Sequence, residues 1–411
     1  MDTSVICLIF IEAFFALWLL KNEYLMDSVH RVVAIYGLLI LAFVLRSMCL
    51  DYQTLDYQNF LSQWVEYYRV NGGVKAFAAP LGNYNIPYMY LLCFFSYLPI
   101  NDLYLIKLLS VLFDVLLAYG VMMIVDRFTE SQNIKLASFF TVLLLPTVFL
   151  NGALWAQCDS IYAALAILGL WLALEKKPVL SVLCFTLSFG FKLQAVFILP
   201  IVAVLLLTKK YKLWHVALFP AFYIALVIPA VIMGKPFVET LTLYASQTGS
   251  IGSGLNYNSP SVYALVRNVA NEAAAANTGI IAAFVFMFIV LAICFIKRKN
   301  LSDKAIIVTA ALLCLGIPYL LPHMHDRYFF LADVMTVVLA FIYFPWAIAL
   351  AALTQFASIL GYHAYLTMRW LLTMNYGAIA LIAVLAGISV LFVKELFFTK
   401  PEPKVSPAKK K

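Results

Sequence analysis

Apolar runs of about 16 to 22 residues, broken by short basic clusters, recur from one end of this chain to the other. A helix needs about 20 apolar residues to cross the hydrocarbon of a bilayer, and only helices and closed barrels satisfy their own backbone there. The 411 residues are 64% apolar and 12% charged, whereas about 25% of a soluble domain is charged. A water-soluble fold would have to bury nearly every helix on all sides. The expected fold class is therefore all-α: a polytopic transmembrane helical protein. The first run, 4–20, follows Asp2 and lacks a small-residue cleavage pattern, so it reads as a retained span. The formal charge of +8 sits in clusters between the runs, as the positive-inside rule expects, and calls for no nucleic acid. The seven cysteines lie mostly within apolar runs, have no metal-ligand spacing, and read as small apolar filler.

The basic clusters set the expected cytoplasmic side: Lys21/Arg31, Arg127/Lys135, Lys176/Lys177, Lys209 to Lys212, Lys297 to Lys304 and the tail from Lys400. Spans are expected near 4–20, 32–50, 103–125, 135–151, 159–175, 178–191, 194–208, 213–233, 279–297, 304–321, 329–345, 346–364 and 376–396. That makes about thirteen, with the N-terminus outside and the tail inside. The run 84–99 is short and carries Pro87 and Pro99, so it reads as a re-entrant or half-depth helix of the first external loop. Residues 1–400 form one expected membrane domain and 401–411 a disordered basic cytoplasmic tail. This count puts the loop 51–102, the turn 151–158, the turn 190–194, the long loop 234–278 and the motif 322–328 on one external face.

Those segments hold the polar groups. In "LDYQTLDYQNFLSQWVEYYRVNGG" (50–73), Asp56, Phe60 and Trp64 are spaced by four and share one helical face. The aromatic stripe suits a helix lying in the membrane surface, ended by Gly72-Gly73. The plainer reading of Asp56 is a helix cap, and Asp51 competes with it for any role. "NGALWAQCDSIY" (151–162) puts Gln157 and Asp159 at the mouth of a span, where Asp-Ser is also an ordinary helix start. "FGFKLQAVFILP" (189–200) sets Lys192 and Gln194 in a break between apolar halves; the lysine either snorkels or faces an anion. In "LLPHMHDRYFF" (320–330), a helix starting at Pro322 would put His323 and Arg327 on one face, around an anion at its N-terminus, and His325 away from it. Asp326 neutralising the cluster is the plainer alternative. The Gly/Ser/Asn-rich loop 234–278, with Arg267, is a substrate lid or a passive linker. Inside span 103–125, Asp114 is two turns from Lys107 and either pairs with it or is functional; Glu12 has no evident partner.

An aspartate able to take a proton and a basic cluster able to hold phosphate are the two groups that glycosyl transfer from a lipid-phosphate sugar requires. The chain resembles the C-fold glycosyltransferases (GT-C), in particular the branch similar to the second mannosyltransferase of GPI-anchor assembly and its prokaryotic relatives. The resemblance rests on Asp56 with Phe60 and Trp64, Gly72-Gly73, "NYNIPYMY" (83–90), "WAQCDSIY" (155–162), "FKLQAVFILP" (191–200) and "PHMHDRYFF" (322–330), in family order through most of the chain. It departs at Ile86, where the family's Tyr-x-Pro-Pro-Tyr has proline, at Ala156, where glycine is usual, at Leu193, where proline is usual, and at Asp326, commonly glutamate.

The resemblance implies a GT-C-like fold and a hexosyltransferase, in the first place a mannosyltransferase. Its donor would be a polyprenyl- or dolichyl-phosphate monosaccharide, its acceptor an extracytoplasmic lipid-linked or polymeric glycan, and transfer would invert the anomeric centre. It implies Asp56 as general base, with Asp51 the runner-up. His323, His325, Arg327, Lys192 and Gln194 would meet the donor phosphate or sugar. Gln157, Asp159, Tyr84, Tyr88 and Arg267 would line the acceptor or sugar pocket. No cofactor is expected and a divalent metal is not favoured. Membrane lipids are the remaining partners, and the expected place is a prokaryotic cytoplasmic membrane with the active site on its outer side. A transporter would show internal repeats and midplane polar groups, which this sequence lacks; a polysaccharide ligase or polymerase is the rival enzyme.

Overall fold

Short polar residues start the long helices. In the computed structural model, which describes residues 2–23, 25–248, 254–266 and 270–399, the side-chain oxygens of Asp2, Ser28, Asn101, Asn271 and Ser302 each accept from a backbone N–H of the first turn. This satisfies a donor that has no partner within the helix. The helices so begun are Thr3–Asn22, Val29–Ser47, Asp102–Asp126, Glu272–Ile296 and Asp303–Leu320. Arg267 and the tail 401–411 lie outside the described residues.

The chain is an all-α polytopic membrane protein. Among the described residues seven helices are long and apolar enough to cross a bilayer: those five with Leu213–Ile232 and Met374–Phe398. The pair Gln132–Leu143 and Pro146–Leu154, bent by 44° at Pro146, makes an eighth if counted as one. Other expected spans are met by shorter apolar helices: Asp159–Leu174, Pro178–Phe191 and Phe330–Ile342. The run 346–364 is met by Ile348–Thr367. The expected span 194–208 is not a continuous helix. It is a 3₁₀ stretch, Leu193–Phe197, then Ile201–Leu207 after Pro200, because proline lacks the N–H a continuing helix needs. The proline-flanked run 84–99 yields Ile86–Phe95, ten residues, about 15 Å long and half the hydrocarbon thickness.

The chain divides into two compact units: Met1–Ala195 with Ala217–Gly252 and Tyr362–Arg369, and Val196–Val216 with Ser253–Gly361 and Trp370–Lys411. In the first, Asp102–Asp126 is the central helix and packs on Asp159–Leu174 and Gln132–Leu143. Small residues bring backbones together, as apolar helices without a hydrophobic drive between them require. A Cβ at Gly152 would stand 2.9 Å from that of Ser110. In the second unit, Asp303–Leu320 is the central helix, with Glu272–Ile296, Phe330–Ile342 and Met374–Val393 around it.

Lys107 and Asp114 do not pair. Asp114, fully buried, takes Arg46 Nη2 at 2.8 Å and Nε at 3.1 Å, and Ser160 Oγ at 2.5 Å. Lys107 Nζ donates instead to the carbonyls of Cys49, Leu50 and Tyr52 at 2.8, 3.0 and 2.6 Å. These lie just past the C-terminus of Val29–Ser47, where a cation is favoured. Two turns on a helix do not decide a partner when a neighbouring helix end offers three carbonyls. Glu12 is also buried, on Thr3–Asn22.

Removing one member of a buried ion pair leaves the other charged and unpaired, at about 3–5 kcal/mol. Arg46→Met is expected to lower the thermal midpoint of the detergent-solubilised protein sharply, and Arg46→Met/Asp114→Leu to recover part of the loss; an unchanged midpoint in the single variant would show that the pair holds nothing. Ala156, buried, has φ +64°, a conformation that costs an L-residue about 1–2 kcal/mol. Ala156→Gly is therefore expected to raise the same midpoint, an effect of about 1 kcal/mol; a lower midpoint would contradict this.

Candidate active site

The first unit gathers most of the expected polar residues. Asp56 stands one residue into the helical segment that becomes a π-helical turn, Tyr57–Leu61, and then the helix Ser62–Val70. Its side chain does not cap that segment. Thr54 does so, accepting from Tyr57 N at 3.4 Å, and its hydroxyl donates to Trp155 O at 2.9 Å. Asp56 Oδ2 instead accepts from Trp155 Nε1 at 3.0 Å and Gln157 Nε2 at 2.8 Å. Its backbone N–H donates to Tyr365 Oη at 3.2 Å. The plainer reading of Asp56 as a cap is thereby replaced. Asp51 is exposed and accepts from Tyr104 Oη at 2.6 Å.

The turn that presents Trp155 and Gln157 also departs from the α-helix. Leu150–Leu154 is a π-helical turn, and Ala156 lies just beyond it in the left-handed region. A π turn adds a residue and re-aims the chain beyond it. Trp155 then stacks on Tyr365, with centroids 4.2 Å apart and planes at 14°, and meets Tyr362 edge-on at 5.1 Å. Gln157 Oε1 accepts from Tyr84 Oη at 3.1 Å, and its carbonyl takes Ser110 Oγ at 2.6 Å. Tyr84 packs between Trp64 and Tyr88, at 5.8 and 4.9 Å; Tyr88 is buried.

Asp159 and Lys192 form a buried ion pair, Nζ to Oδ1 at 2.5 Å, with the lysine 8% and the aspartate 0% exposed. Asn151 Nδ2 donates to Asp159 Oδ2 at 2.8 Å and to Tyr362 Oη at 3.0 Å. Lys192 Nζ also lies 5.9 Å from the Tyr84 ring centre. The lysine expected to snorkel or to face a ligand anion thus meets an internal carboxylate. Gln194 Oε1 is buried and makes no hydrogen bond among the described residues. Beside the loop, Tyr57 Oη donates to Asp102 at 3.0 Å. Burial first, and then the Asp102 charge, push the Tyr57 phenol above its ordinary range, so it stays protonated as the donor.

The second unit contains the basic motif, and its geometry differs from the expected one. No helix starts at Pro322; the helix begins at Phe330. His323 has φ +60°, and Met324–His325 pairs in parallel with Asn256–Tyr257 of the long loop. The i, i+4 face shared by His323 and Arg327 therefore does not exist, nor does a helix N-terminus at Pro322 for an anion. Proline at the first turn permits a helix but does not impose one, and here the backbone bonds go to the loop. His323 N–H donates to Leu255 O at 2.8 Å and its Nδ1 lies 2.7 Å from Gly254 O. His325 stacks on Tyr257 at 4.6 Å and lies 5.1 Å from Tyr328. Arg327 Nη1 is 3.5 Å from Asp326 Oδ1. The loop's 254–266 stretch is thus tied to the motif by backbone pairing and ring stacking.

Trp155, Tyr362, Tyr365, Asn151 and Thr54 are participants to which the sequence pattern assigns no role. Trp155 lies inside the motif 155–162 but carries no charge to suggest one. Tyr362 and Tyr365 sit on Ile348–Thr367 with no local signal; only the fold brings them beside Trp155. Among the described residues no three His, Cys, Asp or Glu side chains gather as metal ligands would.

The model of glycosyltransferase family 87 matches residues 83–321, more than half of the 411. The match includes Tyr84, Gln157, Asp159, Lys192 and Gln194 and stops short of Asp56 on one side and of His323 to Arg327 on the other. No curated protein matches the chain. With this match over an all-helical polytopic fold, the chain belongs to glycosyltransferase family 87, a GT-C-type family of membrane glycosyltransferases.

Proposed function

We propose that the protein transfers a hexose, in the first place mannose, from a polyprenyl-phosphate monosaccharide to a lipid-linked or polymeric glycan acceptor outside the cytoplasm, with inversion. The observation that carries this reading is the environment of Asp56. Among the first unit's carboxylates, Asp114 and Asp159 are each in a buried ion pair, with Arg46 and Lys192. To accept a proton either would have to give up that pair, leaving a buried cation alone. Asp56 is half-buried, and the neutral groups Trp155 Nε1 and Gln157 Nε2 both donate to its Oδ2. These hold the carboxylate in place and leave no charge of their own behind when it takes a proton.

In the proposed reaction Asp56 takes the proton of the acceptor hydroxyl as its oxygen bonds to the anomeric carbon. The bond from that carbon to the phosphate oxygen breaks, and polyprenyl phosphate leaves with the electron pair. One carboxylate suffices, because the phosphate leaves as a stable anion and needs cations rather than a second acid. His323, His325 and Arg327 are assigned to the donor phosphate or sugar. Lys192 is assigned a smaller share than the sequence suggested, since Asp159 already compensates its charge. Gln157, Tyr84 and Tyr88, with the Asp159–Lys192 pair behind them, are assigned to the sugar or acceptor pocket.

Two measurements test the proposal. Purified protein given synthetic polyprenyl-phosphate mannose, or the glucose analogue, and an acceptor lipid extract is expected to form a glycosylated lipid. Asp56→Asn is expected to lose about 10²–10⁴-fold in kcat, while Asp51→Asn keeps most activity; the reverse pattern would move the base to Asp51, and binding without any product from either donor would remove the transferase assignment with these donors. Arg327→Ala is expected to raise donor KM by about 10- to 100-fold, the loss of one charge-assisted contact. An unchanged KM for the donor would take Arg327 out of the phosphate site.

A further inference from the structure

We propose that Trp155, held flat against Tyr365, is a positioning residue that fixes the orientation of the Asp56 carboxylate; this rests on Asp56 being the general base. The sequence and the family match attach no role to Tyr365, and none to Trp155 beyond its place in a motif. Four observations converge on the pair. The Trp155 indole N–H donates to Asp56 Oδ2 at 3.0 Å. The Tyr365 ring stacks on the indole at 4.2 Å and 14°, and the Tyr365 hydroxyl accepts from the Asp56 backbone at 3.2 Å. One tyrosine therefore touches both partners of the hydrogen bond. Thr54 ties the two segments a second time, through Trp155 O. Lastly, both π-helical turns among the described residues of the first unit abut this bond: Tyr57–Leu61 comes directly after Asp56, and Leu150–Leu154 directly before Trp155.

A buried indole usually finds some acceptor for its N–H, and that plainer reading explains the hydrogen bond alone. It does not explain why two chain segments each depart from the α-helix at the point where they meet. π turns are well under 1% of residues and cost regular hydrogen bonding, so two at one contact indicate that the aim of these side chains is what is specified. Catalysis supplies the reason, because a base displaced by about 1 Å from its proton can lose about a hundredfold in rate.

The substitutions separate ring from donor. Trp155→Phe keeps an aromatic face for Tyr365 and deletes the N–H. With polyprenyl-phosphate mannose and acceptor lipid extract, its kcat is expected to fall at least about tenfold with donor and acceptor KM within about twofold, and with the thermal midpoint retained. Tyr365→Leu is expected to lower kcat in the same way, and Tyr365→Phe, which keeps the stack, to recover most of it. A second readout needs no turnover. In ¹⁵N-tryptophan-labelled protein, the indole cross-peak lost in Trp155→Phe identifies Trp155 among the seven tryptophans, and Asp56→Asn is expected to shift that peak more than any other. A Trp155→Phe enzyme with wild-type kcat, or a Trp155 peak indifferent to Asp56→Asn, overturns the positioning role. Full activity in Asp56→Asn overturns instead the base assignment beneath it. Absence of turnover in the wild type counts against the donor, and the indole peak still decides whether Trp155 senses Asp56.

Discussion

A charge carried into an apolar interior must be met where it sits, and most of the first unit's polar architecture derives from that requirement. Arg46 meets Asp114, Lys192 meets Asp159, and Lys107 meets three carbonyls at a helix end. Each arrangement joins segments distant in sequence. Arg46 also donates to Leu143 O at 2.8 Å, so one guanidinium ties Val29–Ser47, Asp102–Asp126 and Gln132–Leu143. Lys107 holds the exit of Val29–Ser47, from which the chain runs on to Thr54 and Asp56. Charge compensation thus sets the frame on which the half-buried aspartate is mounted.

The length of the apolar runs made the helices legible, because run length in a membrane protein is fixed by a thickness outside the protein. Every expected span has a helical counterpart, though 135–151 is bent at Pro146 and 194–208 is divided at Pro200. Pairing was not legible in the same way. Lys107 and Asp114 lie two turns apart on one helix, yet both are taken by residues from elsewhere in the chain, since buried polar groups choose partners by the packing of several helices at once. The basic motif was illegible for a similar reason. Pro322 permits a helix, but Met324–His325 finds backbone partners in Asn256–Tyr257, 68 residues earlier, and sequence spacing contains no trace of that.

The departures from the family pattern also acquire physical content. At position 156, where the resemblance expects glycine, the backbone is left-handed and alanine is strained. Gly72 and Gly73, expected to end the surface helix, both have positive φ, and a Cβ on Gly73 would fall within 2.0 Å of the Tyr97 hydroxyl. A position like Gly73 is readable from a sequence because the close approach there leaves room for glycine alone. Aromatic neighbours such as Tyr365 are not, because many residues could occupy an open helix face and only the fold says what stands opposite.

The same contrast bears on the chemistry. A general base needs a fixed direction and an ability to change charge, and these demands conflict in an apolar setting: strong cationic partners fix a carboxylate but penalise its protonation. Neutral N–H donors resolve the conflict, since they orient the oxygen and leave no stranded charge when a proton arrives. Their weakness is that each is easily misaligned, so their own positions must be secured. In this chain the securing elements are a ring stacked on the indole, a tyrosine bonded to Gln157, and two π-helical turns at the two ends of the indole's bond.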